Sequence, residues 1–155
     1  MRYLIVQTDA PPDAPLPDER EALAQSGLEA ELVSRECHTE DEVIDLASSA
    51  DAVLTIGAQM TRKVIEHLTK CKVIVRYGIG VDNVDIGAAT EQSIVVANIP
   101  DFCLEEVSNH ALLLLLACAK KLVALDRLVR AGEWGRKYEV MLPMPEIHGQ
   151  TLGLV

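Results

Sequence analysis

The stretch Arg76-Tyr77-Gly78-Ile79-Gly80-Val81-Asp82-Asn83-Val84-Asp85 holds the residue types best suited to receive a small anion. The apolar run Val73-Ile74-Val75 precedes it and reads as a buried strand. Two glycines separated by one residue, directly after a strand, let the backbone turn sharply. They leave N–H groups that no side chain shields. Such amides can hold a carboxylate or a phosphate without a fixed counter-charge. Arg76 reads equally as a cation for that anion and as one half of a surface ion pair. Gly78-x-Gly80 reads either as a ligand turn or as a bare structural turn. It is not a dinucleotide fingerprint, because Asn83 occupies the third glycine position and no helix opens at once. Asp82 and Asp85 read as loop and helix caps rather than catalysts. His110 reads as a packed or interface residue, and Cys103 as a small filler.

The elements that must position this turn alternate. Tyr3–Val6 reads as a strand, followed by a loop stiffened by Pro11, Pro12, Pro15 and Pro17. Asp18 to Gln25 reads as a helix with Asp18 as N-cap and Gly27 as its stop. Glu29–Ser34 is the next strand. Thr39 and Glu42 have the capping-box spacing and open a helix with Val43, Ile44, Leu46 and Ala47 on its face. Strand, helix, strand, helix, strand then follow over 52–56, 61–68, 73–76, 85–92 and 94–97. Short apolar strands alternating with short helices predict βαβ units and a doubly wound parallel sheet. In such sheets ligands sit outside the carboxyl ends of the strands. The loops at 7–13, 57–60, 76–83 and 97–103 therefore share one edge.

Beyond Asp101 the pattern changes. From Leu104 to Ala131 no turn residue occurs, acids lead (Glu105, Glu106) and bases trail (Lys120, Lys121, Arg127, Arg130), the order a helix dipole favours. The spacing predicts one continuous helix of roughly 40 Å at ~1.5 Å per residue, stopped by Gly132. Thr151 to Val155 reads as the start of a further strand. The expected domains are 1–100 and 101–155.

Composition narrows the class. A 49% hydrophobic chain with only 3% aromatics must build its core from Val, Ile, Leu and Ala, as open parallel sheets do. A net charge of −10 argues against nucleic acid and anionic membrane surfaces as partners. Cys37, Cys71, Cys103 and Cys118 show no C-x-x-C spacing, so reduced thiols and a cytoplasmic location are expected. No signal-peptide pattern is visible at the first residues. The apolar run Ala111–Ala119 is far below the ~20 residues of a membrane span.

Four segments in order resemble the D-isomer-specific 2-hydroxyacid dehydrogenases, the family of phosphoglycerate dehydrogenase, glyoxylate/hydroxypyruvate reductase and the C-terminal-binding corepressors. They are Arg76 to Asp85, Val96-Ala97-Asn98-Ile99-Pro100, Glu106 to Leu116, and Gly149 to Val155. The resemblance implies an α/β chain: a flavodoxin-like doubly wound substrate domain, then a long helix that starts a Rossmann domain. It implies main-chain N–H groups of Ile79 and Gly80 on a substrate carboxylate, with Arg76, Tyr77 and Gly78 around it. Phe102 would border the substrate pocket and Val107 would pack beside the nicotinamide. The implied cofactor is NAD or NADP, the implied ligand a small 2-hydroxy or 2-keto acid. The implied assembly is a homodimer through 104–131.

The implied reaction passes hydride between C2 of a D-2-hydroxy acid and the nicotinamide. The family's pyrophosphate turn and its catalytic Arg, Glu and His would follow Val155. No catalytic residue is therefore assigned in this chain, His110 and His148 included, and the chain alone is expected to be inactive. Asn109 stands where Glu or Asp is frequent. Ser93 stands where Gly usually ends a helix, a small departure if its φ is negative. An alternative is a nucleotide-gated binding module of the corepressor type, which needs an exposed peptide groove near residues 1–20; nothing marks one. A phosphoacceptor receiver needs an acidic pair after the first strand and an Asp ending the third. Asp9 stands alone and Gly57 follows Ile56, against that reading.

Overall fold

The computed structural model describes residues 2–154. Aliphatic runs form β1 (Tyr3–Gln7), β2 (Ala30–Ser34), β3 (Ala52–Thr55), β4 (Val73–Arg76) and β5 (Val95–Ala97). They make one parallel sheet in the order β2-β1-β3-β4-β5. This is the flavodoxin-like order, with its switch point between β1 and β3. The crossovers are α1 (Pro17–Ser26), α2 (Glu40–Ala47), α3 (Arg62–His67) and α4 (Ile86–Glu91). Strand side chains alternate between the two faces. Val6, Val53 and Ile74 are buried on one face under Val43 and Ala47 of α2, Val64 and Ile65 of α3, and Ala88 and Ala89 of α4. Ile5, Leu54 and Val75 point to the other face, where Ala22 and Leu23 of α1 lie over them. No residue of α1 is itself buried.

Local chemistry explains most boundaries. Thr39 Oγ1 accepts the N–H of Glu42, and the Glu42 carboxylate accepts the N–H of Thr39 at 3.0 Å, a complete capping box. Thr61 and Asp85 cap α3 and α4 by accepting the N–H groups of Val64 and Ala88. Helix α1 departs from expectation: it starts at Pro17, which suits the first helical position, after Leu16 in a left-handed conformation. Asp18 is therefore not the cap. It lies with Glu19 in the first turn, where the helix dipole favours acids. Ser93 also departs, with φ 57 rather than a negative value.

The chain divides into two compact units, Met1–Phe102 and Cys103–Val155. In the second unit the expected single long helix is two. These are α5 (Leu104–Ala119) and α6 (Leu122–Arg130), broken where Lys121 turns left-handed at φ 53. The break lets neighbouring lysines cap distant carbonyls. Lys120 Nζ donates to Pro145 O at 3.3 Å and Lys121 Nζ to Val140 O at 2.9 Å. A 3₁₀ turn (Trp134–Arg136) and α7 (Lys137–Met141) follow. Residues 151–154 form no strand, since no neighbour pairs with them, and Val155 lies outside the described residues. No helix among the described residues is long and apolar enough to cross a membrane.

Candidate functional site

Strand β4 delivers the glycine turn to the carboxyl edge of the sheet. Arg76 pairs in register with Thr55, and Tyr77 N donates to Thr55 O at 2.8 Å. Gly78 N folds back onto Arg76 O at 3.0 Å. The segment after β5 is tied to the same turn. Ile99 N donates to Gly78 O at 3.0 Å, and Asn98 Nδ2 to Ile79 O at 2.7 Å. Among the described residues the amides of Ile79 and Gly80 have no acceptor.

Arg76 lies across this turn. A Cβ at Gly78 would collide with its guanidinium, so glycine is what admits the side chain there. Among the described residues Arg76 forms no ion pair, its Nε is buried without a partner, and Nη1 reaches only Tyr77 O at 3.5 Å. The surface-ion-pair reading of Arg76 therefore does not hold among these residues. At Gly80 a Cβ would stand 2.9 Å from an Asp82 carboxylate oxygen, so that position is crowded too.

Tyr77 turns to the α1 side. Its hydroxyl donates to Glu19 at 3.1 Å, and burial together with the Glu19 charge pushes the phenol pKa up. Tyr77, Ile99 and Phe102 line a cavity of about 360 Å³ with Ala22 of α1, and Asp18 and Glu19 lie at its rim. Phe102 is 61% exposed. The first unit thus gathers Arg76, Tyr77, Gly78, Ile79, Gly80 and Phe102 around one edge. Val107 lies in the second unit, exposed on α5 in an apolar groove of about 520 Å³ with Ala111 and Leu114. His110 and Glu106 border that groove.

Asp9 is the site residue that sequence reasoning passed over. Its carboxylate accepts the N–H groups of Ile56, Gly57 and Ala58 and the hydroxyls of Thr8 and Thr55. Burial pushes its pKa up, but these bonds outweigh that and hold it below the ordinary carboxylate value. The one available signal was an acid ending β1 opposite the glycine-containing turn after β3.

Metal and cofactor chemistry can be tested against the side chains present. No group of three or more His, Cys, Asp and Glu among the described residues could hold a metal. A nicotinamide dinucleotide needs a glycine-rich cradle for its pyrophosphate between a strand and a helix. Gly78-x-Gly80 opens no helix, and Gly149 and Gly153 follow no strand. The described residues thus carry no pyrophosphate cradle, and Val107 offers only an apolar surface.

A model of the D-isomer specific 2-hydroxyacid dehydrogenase catalytic domain matches residues 8–151. The chain belongs to the D-isomer specific 2-hydroxyacid dehydrogenase family. It is 39% identical over 118 residues to D-3-phosphoglycerate dehydrogenase of Methanocaldococcus jannaschii, covering 76% of this chain and 22% of that protein. It is 32% identical over 120 residues to glyoxylate reductase of Pyrococcus furiosus, covering 74% of this chain and 36% of that protein. An NAD+-bound 3-phosphoglycerate dehydrogenase of Entamoeba histolytica superposes with a TM-score of 0.53 at 33% identity, covering 63% of this chain and 33% of that one. This member therefore spans less than half the length of these relatives.

Proposed function

We propose that the unit Met1–Phe102 is the substrate-binding domain of an NAD(P)-dependent oxidoreductase acting on the CH–OH group of a small D-2-hydroxy acid. The observation that carries this reading is the Arg76 guanidinium, in no ion pair among the described residues and with its Nε unpartnered, lying across Gly78 next to the Ile79 and Gly80 amides, which have no acceptor among those residues. A carboxylate seated there accepts two backbone N–H bonds and gains the Arg76 charge, which strengthens both. Tyr77, Ile99 and Phe102 offer an apolar surface to the remainder of the acid. NAD or NADP would supply or accept a hydride in such a reaction, and this chain's described residues would offer it no pyrophosphate cradle, only the apolar surface at Val107. Family membership and the NAD+-bound relative support that cofactor. No proton-transfer role falls to a residue of this chain, and the chain alone is expected to show no turnover. Val107 is assigned to the nicotinamide side. We place the protein in the cytoplasm with reduced thiols and as a homodimer through residues 104–131, where Leu112, Leu113 and Leu114 are more than half exposed.

The test is an amide-resolved NMR titration with glyoxylate, pyruvate, hydroxypyruvate and glycerate. One or more of these acids is expected to move the Ile79 and Gly80 resonances. Gly80→Pro, which removes one donor, abolishes that response, and Arg76→Gln weakens binding roughly tenfold, the scale of a charge-assisted hydrogen bond. No response at these amides to any of the acids, or unchanged binding in Gly80→Pro, defeats the reading.

A further inference from the structure

The edge that would hold a substrate carboxylate already holds one of the protein's own. Asp9 follows β1, which lies next to β3 in the sheet. Its Oδ1 accepts Gly57 N at 2.7 Å and Ala58 N at 3.0 Å. Its Oδ2 accepts Ile56 N at 2.7 Å, Thr8 Oγ1 at 2.7 Å and Thr55 Oγ1 at 3.2 Å. Thr8 and Thr55 are fully buried, so those hydroxyls are held in place. Asp9's own N–H donates to Gln7 Oε1 at 2.8 Å, which fixes the carboxylate's base. Three consecutive amides converging on one anion form a nest, and the nest dictates the path of the turn after β3.

That turn is bonded in its own right to the glycine turn. Ala58 gives its N–H to Asp9 and its carbonyl to Asn83, whose Nδ2 donates at 2.9 Å. Met60 N donates to Asn83 O at 2.8 Å, and Asp85 N donates to Met60 O at 2.9 Å. Met60 and Val84 also form an isolated parallel bridge. Val84 N closes the loop on Val81 O at 2.9 Å. The backbone just after Gly80 is thus anchored at Asn83, Val84 and Asp85 to a segment whose own shape is set by Asp9. Among the described residues no hydrogen bond runs from that segment to Ile79 or Gly80, so the constraint arrives through Asn83.

We propose that Asp9 is a positioning residue for the Gly78–Gly80 turn, acting through residues 56–60 and Asn83 without touching the ligand. The inference rests on reading that turn as the carboxylate cradle. Asp9 suits the task because a carboxylate only accepts hydrogen bonds. The isosteric amide of Asn would aim an NH₂ at N–H donors and leave at least one of them unpaired. The groups facing Asp9 across its cavity of about 550 Å³ are Glu36, Cys37, His38 and Glu40. None of them makes a hydrogen bond to the Ile56, Gly57 or Ala58 amides, so none substitutes for it.

An acid titration followed amide by amide tests this on the 155-residue chain. It is run in an Asp82→Asn background, because the Asp82 carboxylate lies against Gly80. The Gly57 and Ala58 amides are expected to shift as Asp9 takes up its proton. The Ile79 and Gly80 amides are expected to shift with the same midpoint. Asp9→Asn removes both responses. Asn83→Ala keeps the response at Gly57 and Ala58 and removes it at Ile79 and Gly80, a split that general destabilisation does not produce. Ile79 and Gly80 amides that stay still while Gly57 and Ala58 titrate, or an unchanged response in Asn83→Ala, overturn the proposal. Glyoxylate affinity is the second readout, expected to fall roughly tenfold in either variant. A wild-type chain that binds no acid defeats the substrate reading, while the amide midpoints still decide whether Asp9 positions the turn.

Discussion

At the scale of single residues, the site depends on what glycine leaves out. Gly78 carries no side chain because the Arg76 guanidinium occupies that space. Gly78→Ala is therefore expected to push Arg76 aside and weaken acid binding roughly tenfold. Binding unchanged in the calorimeter would remove Arg76 from the site. Ser93 shows the opposite case, an ordinary residue held at φ 57. Ser93→Gly relieves that conformation and is expected to raise stability by about 1 kcal/mol, read as a higher urea midpoint with unchanged slope. Asp9 adds a pH dependence. Its folded pKa lies below the ordinary value, so its contribution to stability is complete above the usual carboxylate range and disappears as pH falls through the folded value. Wild type is expected to lose stability more steeply in acid than Asp9→Asn; parallel profiles would contradict the bonding pattern around Asp9. The amide-bearing turn was legible in the sequence because strand followed by Gly-x-Gly is a local pattern. The bonding of Asp9 and the lack of an ion pair at Arg76 among the described residues were not, because the first depends on neighbours 46 to 49 residues away and the second on which carboxylates the fold brings near.

At the scale of elements, the same division holds between what is local and what is not. The capping box of α2 needs only Thr39 and Glu42, and both hydrogen bonds form. Thr39→Ala is expected to cost about 1 kcal/mol in chemical denaturation. The caps on α3 and α4 are equally short-range, and all five strands lie within one residue of their expected spans. Helix α1 was misjudged at its start because Asp18 looked like a cap, whereas Pro17 already fits the first helical position. The division of α5 from α6 carried no sequence signal. Neither Gly nor Pro marks it, and the carbonyls that Lys120 and Lys121 reach belong to Pro145 and Val140, 25 and 19 residues on. The 151–154 run has a strand's composition, but pairing decides strands and no partner is beside it.

At the scale of the whole molecule, alternation of short strands and helices was enough to give the parallel sheet, and crossover rules left few orders for it. The second unit carries the clearest prediction at this scale. Helices α5 and α6 bury no residue, and Leu112, Leu113, Leu114 and Leu122 are each more than half exposed. Apolar patches of that kind rarely stay in water. The protein is expected to elute at dimer mass by size-exclusion with light scattering, and Leu113→Glu to shift it towards monomer. A monodisperse wild-type monomer would refute the assembly. The first unit holds a different asymmetry. Three helices close one face of its sheet, while α1 covers the other without burying a single residue of its own. The cooperative units of this fold should therefore separate in hydrogen exchange. Amides of α1 should open at a small fraction of the free energy that protects β1, β3 and β4. Because Glu19 and Ala22 wall the cavity beside Tyr77, each such opening would also unroof it. Local melting of one thinly attached helix would thus set how long the α1 wall of that cavity stays in place.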